Sequence, residues 1–263
     1  MTDTDEKDTL MNKISTKNSP KGLIISSSIL ISFVLVWYHA LFQIDLIKSN
    51  WFDIIGTFFC LEFLYTGLFI TCHDAMHGAI SSRYHRLNNA IGRICFSAYA
   101  WFDYRHMYEQ HWRHHNHTGI ANEDPDYHDG QSIGFFSWYF RFMLEYITVK
   151  QAIKMTLWIT ILLFLFSVSI SNILVYMLVC GLCSSLRLFF FGTYIPHRPT
   201  MIDGKFEKIM PWEKSRSANV NRWISFLCCY HFDYHWEHHR WPYVPWWDLW
   251  KCKEMRKKIN SLQ

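Results

Sequence analysis

No two of the 11 glycines in this 263-residue chain are separated by a single residue. A GxGxxG fingerprint, in which glycines let a backbone turn close against a pyrophosphate, is therefore absent, and with it any sign of a flavin or nicotinamide domain. The first 20 residues lack the basic start of a secretory signal and the Arg-rich, acid-poor make-up of a transit peptide. Polar, mixed in charge and poor in aromatics, residues 1–20 read as a disordered cytoplasmic tail. No internal repeat, low-complexity tract or second domain interrupts the rest, so residues 21–263 are expected to form one domain. Eight cysteines are present, but Cys60, Cys180 and Cys183 fall inside apolar runs and Cys228 and Cys229 are adjacent. That pattern suits a reduced protein facing the cytoplasm better than a disulfide framework. Cys180-x-x-Cys183 has redox spacing but neither a second pair nor a βαβ context, and packing is the better account of it.

Half of the residues are hydrophobic, yet the mean hydropathy is only −0.03. The average hides segregation: long apolar runs alternate with stretches dense in Arg, Lys and His. A membrane helix needs about 20 apolar residues, and four runs qualify, at about 23–44, 54–72, 153–168 and 173–196, the third being the shortest. The link between the first two carries Lys48 as its only cation, and the link 169–172 carries none. The positive-inside bias then places both termini and the segment 74–151 in the cytoplasm. The expected fold is an all-α membrane protein, four transmembrane helices in two hairpins beneath a cytoplasmic helical cap. Trp37, Trp51, Trp101 and Trp158 stand toward the ends of apolar runs, as an interfacial belt does. The aromatic segment 133–147 contains Arg141 and Glu145 and is expected to lie along the interface.

Fifteen histidines are present, and they cluster. His73-Asp74-x-x-His77, His111-x-x-His114-His115 and His235-x-x-His238-His239 each put imidazoles three or four residues apart, on one face of a helix. From histidine content alone, two HxxHH patterns arise by chance in roughly one chain in a thousand. With His197 at the end of the fourth run, nine histidines fall on the side assigned as cytoplasmic by apolar runs and Lys/Arg alone. A metal site is the better reading than a solvated His-rich face. Imidazole suits zinc, copper, nickel and iron, so the metal stays open on this ground. Nine imidazoles exceed what one ion takes, which argues for a dimetal site. Each ligating ring usually donates its second N–H to a carboxylate or carbonyl, and Asp74, Glu109, Asp124, Asp126, Asp233 and Glu237 are near enough in sequence. His231, one helical turn or about 5.4 Å before His235, shares that stripe as a tenth ligand or, preferably, as a residue supporting one.

These boxes resemble the membrane fatty-acid desaturase and hydroxylase superfamily. More narrowly, FLYTGLFITCHDAMHG, HWRHHNHTG with DPDYHDG, LFFFGTYIPHR and CYHFDYHWEHHRWPYVPWW resemble the bacterial and cyanobacterial β-carotene ketolases, over about residues 65–247. The resemblance implies two iron ions and dioxygen, with His73, His77, His111, His114, His115, His197, His235, His238 and His239 as ligands. It implies oxidation of the carbon-4 methylene of a β-ionone ring to a ketone, by two hydroxylations and loss of water from the geminal diol. β-Carotene would give echinenone and canthaxanthin. An external electron donor, ferredoxin by family habit, is implied, as is a bacterial inner or thylakoid membrane; no nucleic-acid partner is expected. Thr193, four residues before His197, stands where related desaturases carry an Asn holding a metal-bound water, and is a departure from that pattern. Other readings of the same cage are a carotenoid hydroxylase or an acyl-lipid desaturase; a His-rich metal carrier is a reading of another class.

Two charges inside the runs predict a contact. At 1.5 Å per residue, Glu62 lies about 16 Å along its helix from His73 and Arg187 about 15 Å from His197. Isolated charges at such depth are costly, and the equal offsets predict that the two meet.

Overall fold

The computed structural model describes residues 19–127, 134–198 and 211–260. Most of the expected N-terminal tail lies outside the described residues. Ten helices are found among the described residues: α1 (Ser19–Phe42), α2 (Trp51–Met76), α3 (His85–Ala100), α4 (Tyr104–His117), α5 (Phe135–Tyr146), α6 (Val149–Phe164), α7 (Ile170–His197), α8 (Arg222–Cys229), α9 (His235–Arg240) and α10 (Leu249–Asn260). Three of these, at Pro20–Phe42, Trp51–Met76 and Ile170–His197, are long and apolar enough to cross a membrane. The third expected span begins and ends earlier than its apolar run: α6 stops at Phe164, and a positive φ of 53° at Ser167 turns the chain away. Its 16 residues rise about 24 Å, short of a hydrocarbon core of about 30 Å. α5 and α6 meet at 89°, and count as a span only together.

Local chemistry sets the helix starts. Asn50 accepts from the Phe52 N–H at 2.8 Å to begin α2, and Asp103 accepts from the Arg105 and His106 N–H groups to begin α4. These side chains satisfy N–H groups that have no intrahelical partner. At the far end of the bundle, the buried Asn172 amide donates to the carbonyls of Ala40 at 3.1 Å and Ile44 at 2.8 Å, closing the end of α1 onto the start of α7. Tyr176 donates to the Ile54 carbonyl and Cys180 to that of Phe58, so α7 is stitched to α2 at successive turns. Cys180 is buried there, in keeping with a packing role. Trp37 stacks on Trp158 and Trp101 meets Trp158 edge-on, so three of the four expected belt tryptophans form one column.

α7 is not uniform. It contains π-helical turns at Ile173–Val179 and Phe190–Tyr194, a widening found most often at functional sites. The second of these carries Gly192 and Thr193, both buried, to the side of the helix that meets the histidines.

Candidate metal centre

All nine expected histidines are buried, and their side chains gather into two groups. One ligand atom from each of His73, His77, His111, His115 and His238 lies within 4.8 Å of the others, and the same holds for His114, His197, His235 and His239. The partition follows helix geometry. On α4, His111 and His115 are one turn apart and enter the five-membered group, while His114, turned away from them, enters the four-membered one. On α9 the allocation is reversed, His235 and His239 going to the second group and His238 to the first. Each HxxHH box thus serves both groups, and neither group exists without both helices.

The rings point their Nε2 atoms inward. His238 Nε2 lies 3.1 Å from His73 Nε2 and 3.0 Å from His115 Nε2. His239 Nε2 lies 3.1 Å from His114 Nε2 and 2.9 Å from His235 Nε2. One nitrogen cannot donate a single N–H to two neighbours, so lone pairs face lone pairs in each group. A cation removes that conflict: nitrogens bound at about 2.0–2.1 Å and at right angles sit roughly 3 Å apart. His197 Nε2 is buried with no hydrogen-bond partner among the described residues, as a ligand atom facing its metal position would be. Burial, followed by the neighbouring imidazoles, holds His111, His115, His235, His238 and His239 well below the usual histidine range. Neutral rings are the form that binds metal. The donor set fits a metal site.

Outward nitrogens find supports. Nδ1 of His73 faces Asp74 Oδ1 at 3.3 Å, and Asp74 Oδ2 accepts from the Trp246 N–H at 2.8 Å, which ties the box on α2 to the C-terminal segment. His235 Nδ1 faces the Phe232 carbonyl, His239 Nδ1 faces Thr118 Oγ1 and His197 Nδ1 faces the Lys214 carbonyl. His114 has the strongest support: Nδ1 lies 2.8 Å from Asp124 Oδ1 and 3.9 Å from Asp126 Oδ2. Burial would lower this ring, but the carboxylates of Asp124 and Asp126 outweigh it and raise it to about 9. Asp126 itself is pushed up to about 6 by burial. His114, Asp124 and Asp126 are close enough to be a third ligand group, but Asp124 already accepts from the Gly119 and Asp126 N–H groups. They are better understood as a bracket that holds His114 for the second group.

Three of the six carboxylates expected as supports lie elsewhere or act otherwise. Glu109 is exposed and pairs with Arg105 at 2.9 Å. Asp233 accepts from Ser225, and the fully buried Glu237 accepts from Ser217 and from Arg256 at 3.1 Å. They brace the chain around α9 rather than an imidazole. The stripe expected to join His231 to His235 does not form. Tyr230 and His231 have φ of 51° and 62°, so the chain turns through a left-handed corner before α9 begins. His231 Nδ1 faces Ser225 Oγ at 3.0 Å and its ring stacks on Tyr234, outside both groups of ligands.

Between the two groups lies a small cavity of about 40 Å³ lined by His73, His111, His114 and His235. Its remaining wall is largely apolar, including Phe69, Met107, Phe142, Leu188 and Phe232, with Thr193, Asp126 and Tyr146 as the polar members. Thr193, expected near His197, is therefore at the cavity. Phe232, Gly192 and Tyr146 were not singled out from sequence, although the first two lie inside the recognised phrases and Tyr146 inside the aromatic segment 133–147. The Phe232 ring packs on His73 at 4.7 Å and on His235 at 5.0 Å, one from each group. A Cβ on Gly192 would overlap that ring, so glycine is what permits the approach. Tyr146 donates to Asp126 Oδ1, behind the His114 bracket.

The fatty acid desaturase profile matches residues 49–162 and 133–260. The chain belongs to the fatty acid desaturase family. Within the family it is 41% identical to the β-carotene 4-ketolase of Protosiphon botryoides over 95% of this chain and 69% of that protein. It is 40% identical to the zeaxanthin 4-ketolase of Chlamydomonas reinhardtii over 96% of this chain and 58% of that protein. The β-carotene ketolase of a Paracoccus strain (N81106) is 34% identical, with 87% of this chain and 90% of that protein covered. These relatives are named as carotenoid ketolases, and the apolar helices of this chain suit a membrane protein.

Proposed function

We propose that this chain is a membrane carotenoid oxygenase that uses two iron ions and dioxygen to convert the carbon-4 methylene of a β-ionone ring to a ketone. The observation that carries this reading is one apolar cavity walled by imidazoles of both groups in a chain whose relatives are named as carotenoid ketolases. The five-imidazole and four-imidazole groups would each hold one iron, which when bound supplies the activation of dioxygen. Asp74, Asp124 and the carbonyls of Phe232 and Lys214 keep the rings in the tautomer that leaves Nε2 free. Phe69, Met107, Phe142, Leu188 and Phe232 exclude water and present a hydrocarbon ring to the metals, while the hydroxyl of Thr193 stands at the same wall.

Each hydroxylation replaces a C–H by C–OH and consumes one dioxygen, two electrons and two protons, with release of one water. A second at the same carbon gives a geminal diol, which loses water to the ketone. The electrons come from an external donor of the ferredoxin kind. The four-span arrangement, with both termini and the metal centre cytoplasmic, belongs to the same proposal: the α5–α6 elbow and α6 form the third passage.

The test is expression in cells that accumulate β-carotene. Echinenone and canthaxanthin are the expected products. Hydroxylated carotenoids or altered acyl chains without any ketone would overturn the reading in favour of a different oxidation by the same cage. Purified protein should carry iron, and turnover should require dioxygen.

A further inference from the structure

A second cavity lies away from the metal centre. It is a groove of about 760 Å³ contributed by α2, α5, α7 and α8, and its walls are mainly phenylalanine, among them Phe58, Phe59, Phe190 and Phe191. Among the described residues, the only charged side chains lining it are Glu62 and Arg187. They form a two-point pair, Nε to Oε1 at 2.8 Å and Nη2 to Oε2 at 2.5 Å. The pair is neutral as a unit, so the groove offers no net charge to an ionic ligand. A guanidinium has five N–H donors. Two go to Glu62, and Nη1 donates to the carbonyls of Leu227 at 2.9 Å and Cys228 at 3.1 Å. One Nη2–H has no partner among the described residues, on a side chain that keeps 26% exposure and lines the groove.

Aromatic walls, no net charge and one remaining donor define a ligand: a flat apolar ring bearing a neutral oxygen. We propose that this groove binds an isoprenoid end ring carrying a hydroxyl or ketone, with Arg187 Nη2–H donating to that oxygen. The identity of the ligand rests on the carotenoid reading above. Glu62 and Arg187 lie about 15–16 Å along their helices from His73 and His197, too far for a ring held there to meet the metals. A ring held in the groove is therefore one that is not being oxidised. An acyl chain would fill the aromatic walls but brings no oxygen to the donor.

The test is titration of canthaxanthin and of β-carotene into the purified wild-type protein without an electron donor, so that neither is turned over, with quenching of tryptophan fluorescence as the readout. Canthaxanthin should bind about fivefold to tenfold more tightly, the size of one net hydrogen bond. In the double variant Glu62→Met/Arg187→Met, which removes both charges together with every donor of the pair, the two ligands should bind alike. Cys183→Trp, which fills the groove from α7 and leaves both charged residues in the chain, should also weaken canthaxanthin binding, and serves if the double variant does not fold. Equal affinities in the wild type, or a preference that survives in the folded variants, would overturn the proposal. The product assay separates the two readings: preference without keto products removes the ketolase reading and leaves the groove, whereas keto products without preference remove the groove alone.

Discussion

Arg187 and Glu62, 125 residues apart in sequence, meet side by side with two parallel hydrogen bonds, the fork of one matched to the fork of the other. Their equal offsets from His197 and His73 predicted the meeting from helix rise alone. The contact locks α7 to α2 halfway along the bundle, and the Arg187 bonds to Leu227 and Cys228 bring α8 into the same joint. Replacing Arg187 by Ala leaves the Glu62 carboxylate, only 4% exposed, without its counter-charge. Thermal unfolding in detergent should show a loss of about 3 kcal/mol, below the top of the range for broken buried pairs because Arg187 is partly exposed. Removing both charges should cost less than removing one. A single variant as stable as the wild type would show that the pair carries no structural weight.

The interleaving of the two HxxHH boxes makes a stoichiometric prediction. His114→Ala and His239→Ala both strike the four-imidazole group, and His238→Ala strikes the five-imidazole group. Each should abolish keto-carotenoid formation and lower bound metal by about half per chain, with membrane insertion unchanged. Metal analysis of purified protein decides the matter. Full occupancy together with turnover in His114→Ala or His239→Ala would remove those residues from the ligand set.

The gathering of these histidines was legible because a helix fixes which residues share a face, and two boxes fall wholly within helices α4 and α9. The depth match of Glu62 and Arg187 was legible for the same reason. His231 was not, because its expected place assumed that the helix of His235 extends back one turn, whereas Tyr230 and His231 adopt positive φ and end that stripe. The reversed allocation of His238 and His115 relative to their boxes depends on how α4 and α9 cross, which no single helix encodes. Glu109 illustrates a different limit: an acid next to a box in sequence is on the outer face of α4, paired with Arg105 in solvent. α6 ends four residues before its apolar run does, near a turn at Ser167 that apolar composition does not reveal.

Carboxylates behind the ligands should rank by geometry. Asp124 is 2.8 Å from His114 Nδ1, Asp126 is 3.9 Å away and Glu109 touches no imidazole. Asp124→Asn should weaken metal binding by about tenfold to a hundredfold, Asp126→Asn by less, and Glu109→Gln should leave it unchanged, since its ion pair with Arg105 is exposed and faces away from the imidazoles. Competition against a chelator of known affinity measures all three. A reversed order for Asp124 and Asp126 would show that the longer contact is the working one.

Gly192 tests whether the cavity wall is tuned to the metals or merely close to them. The π-helical turn brings this residue so near Phe232 that a methyl group cannot be added without moving the ring, and that ring touches His73 and His235, one from each group. In Gly192→Ala the ring must press toward the imidazoles or into a cavity of about 40 Å³. Both displacements reduce room for substrate, and overpacking of this kind typically costs about 1–3 kcal/mol. Keto-product formation should fall about tenfold or more while metal content changes little. The compensating variant Gly192→Ala/Phe232→Leu, which trades the ring for a smaller side chain, should recover part of the loss. If Gly192→Ala is fully active, the tight contact has no bearing on the reaction. If the second change gives no recovery, the harm comes from helix α7 itself rather than from the ring it carries against.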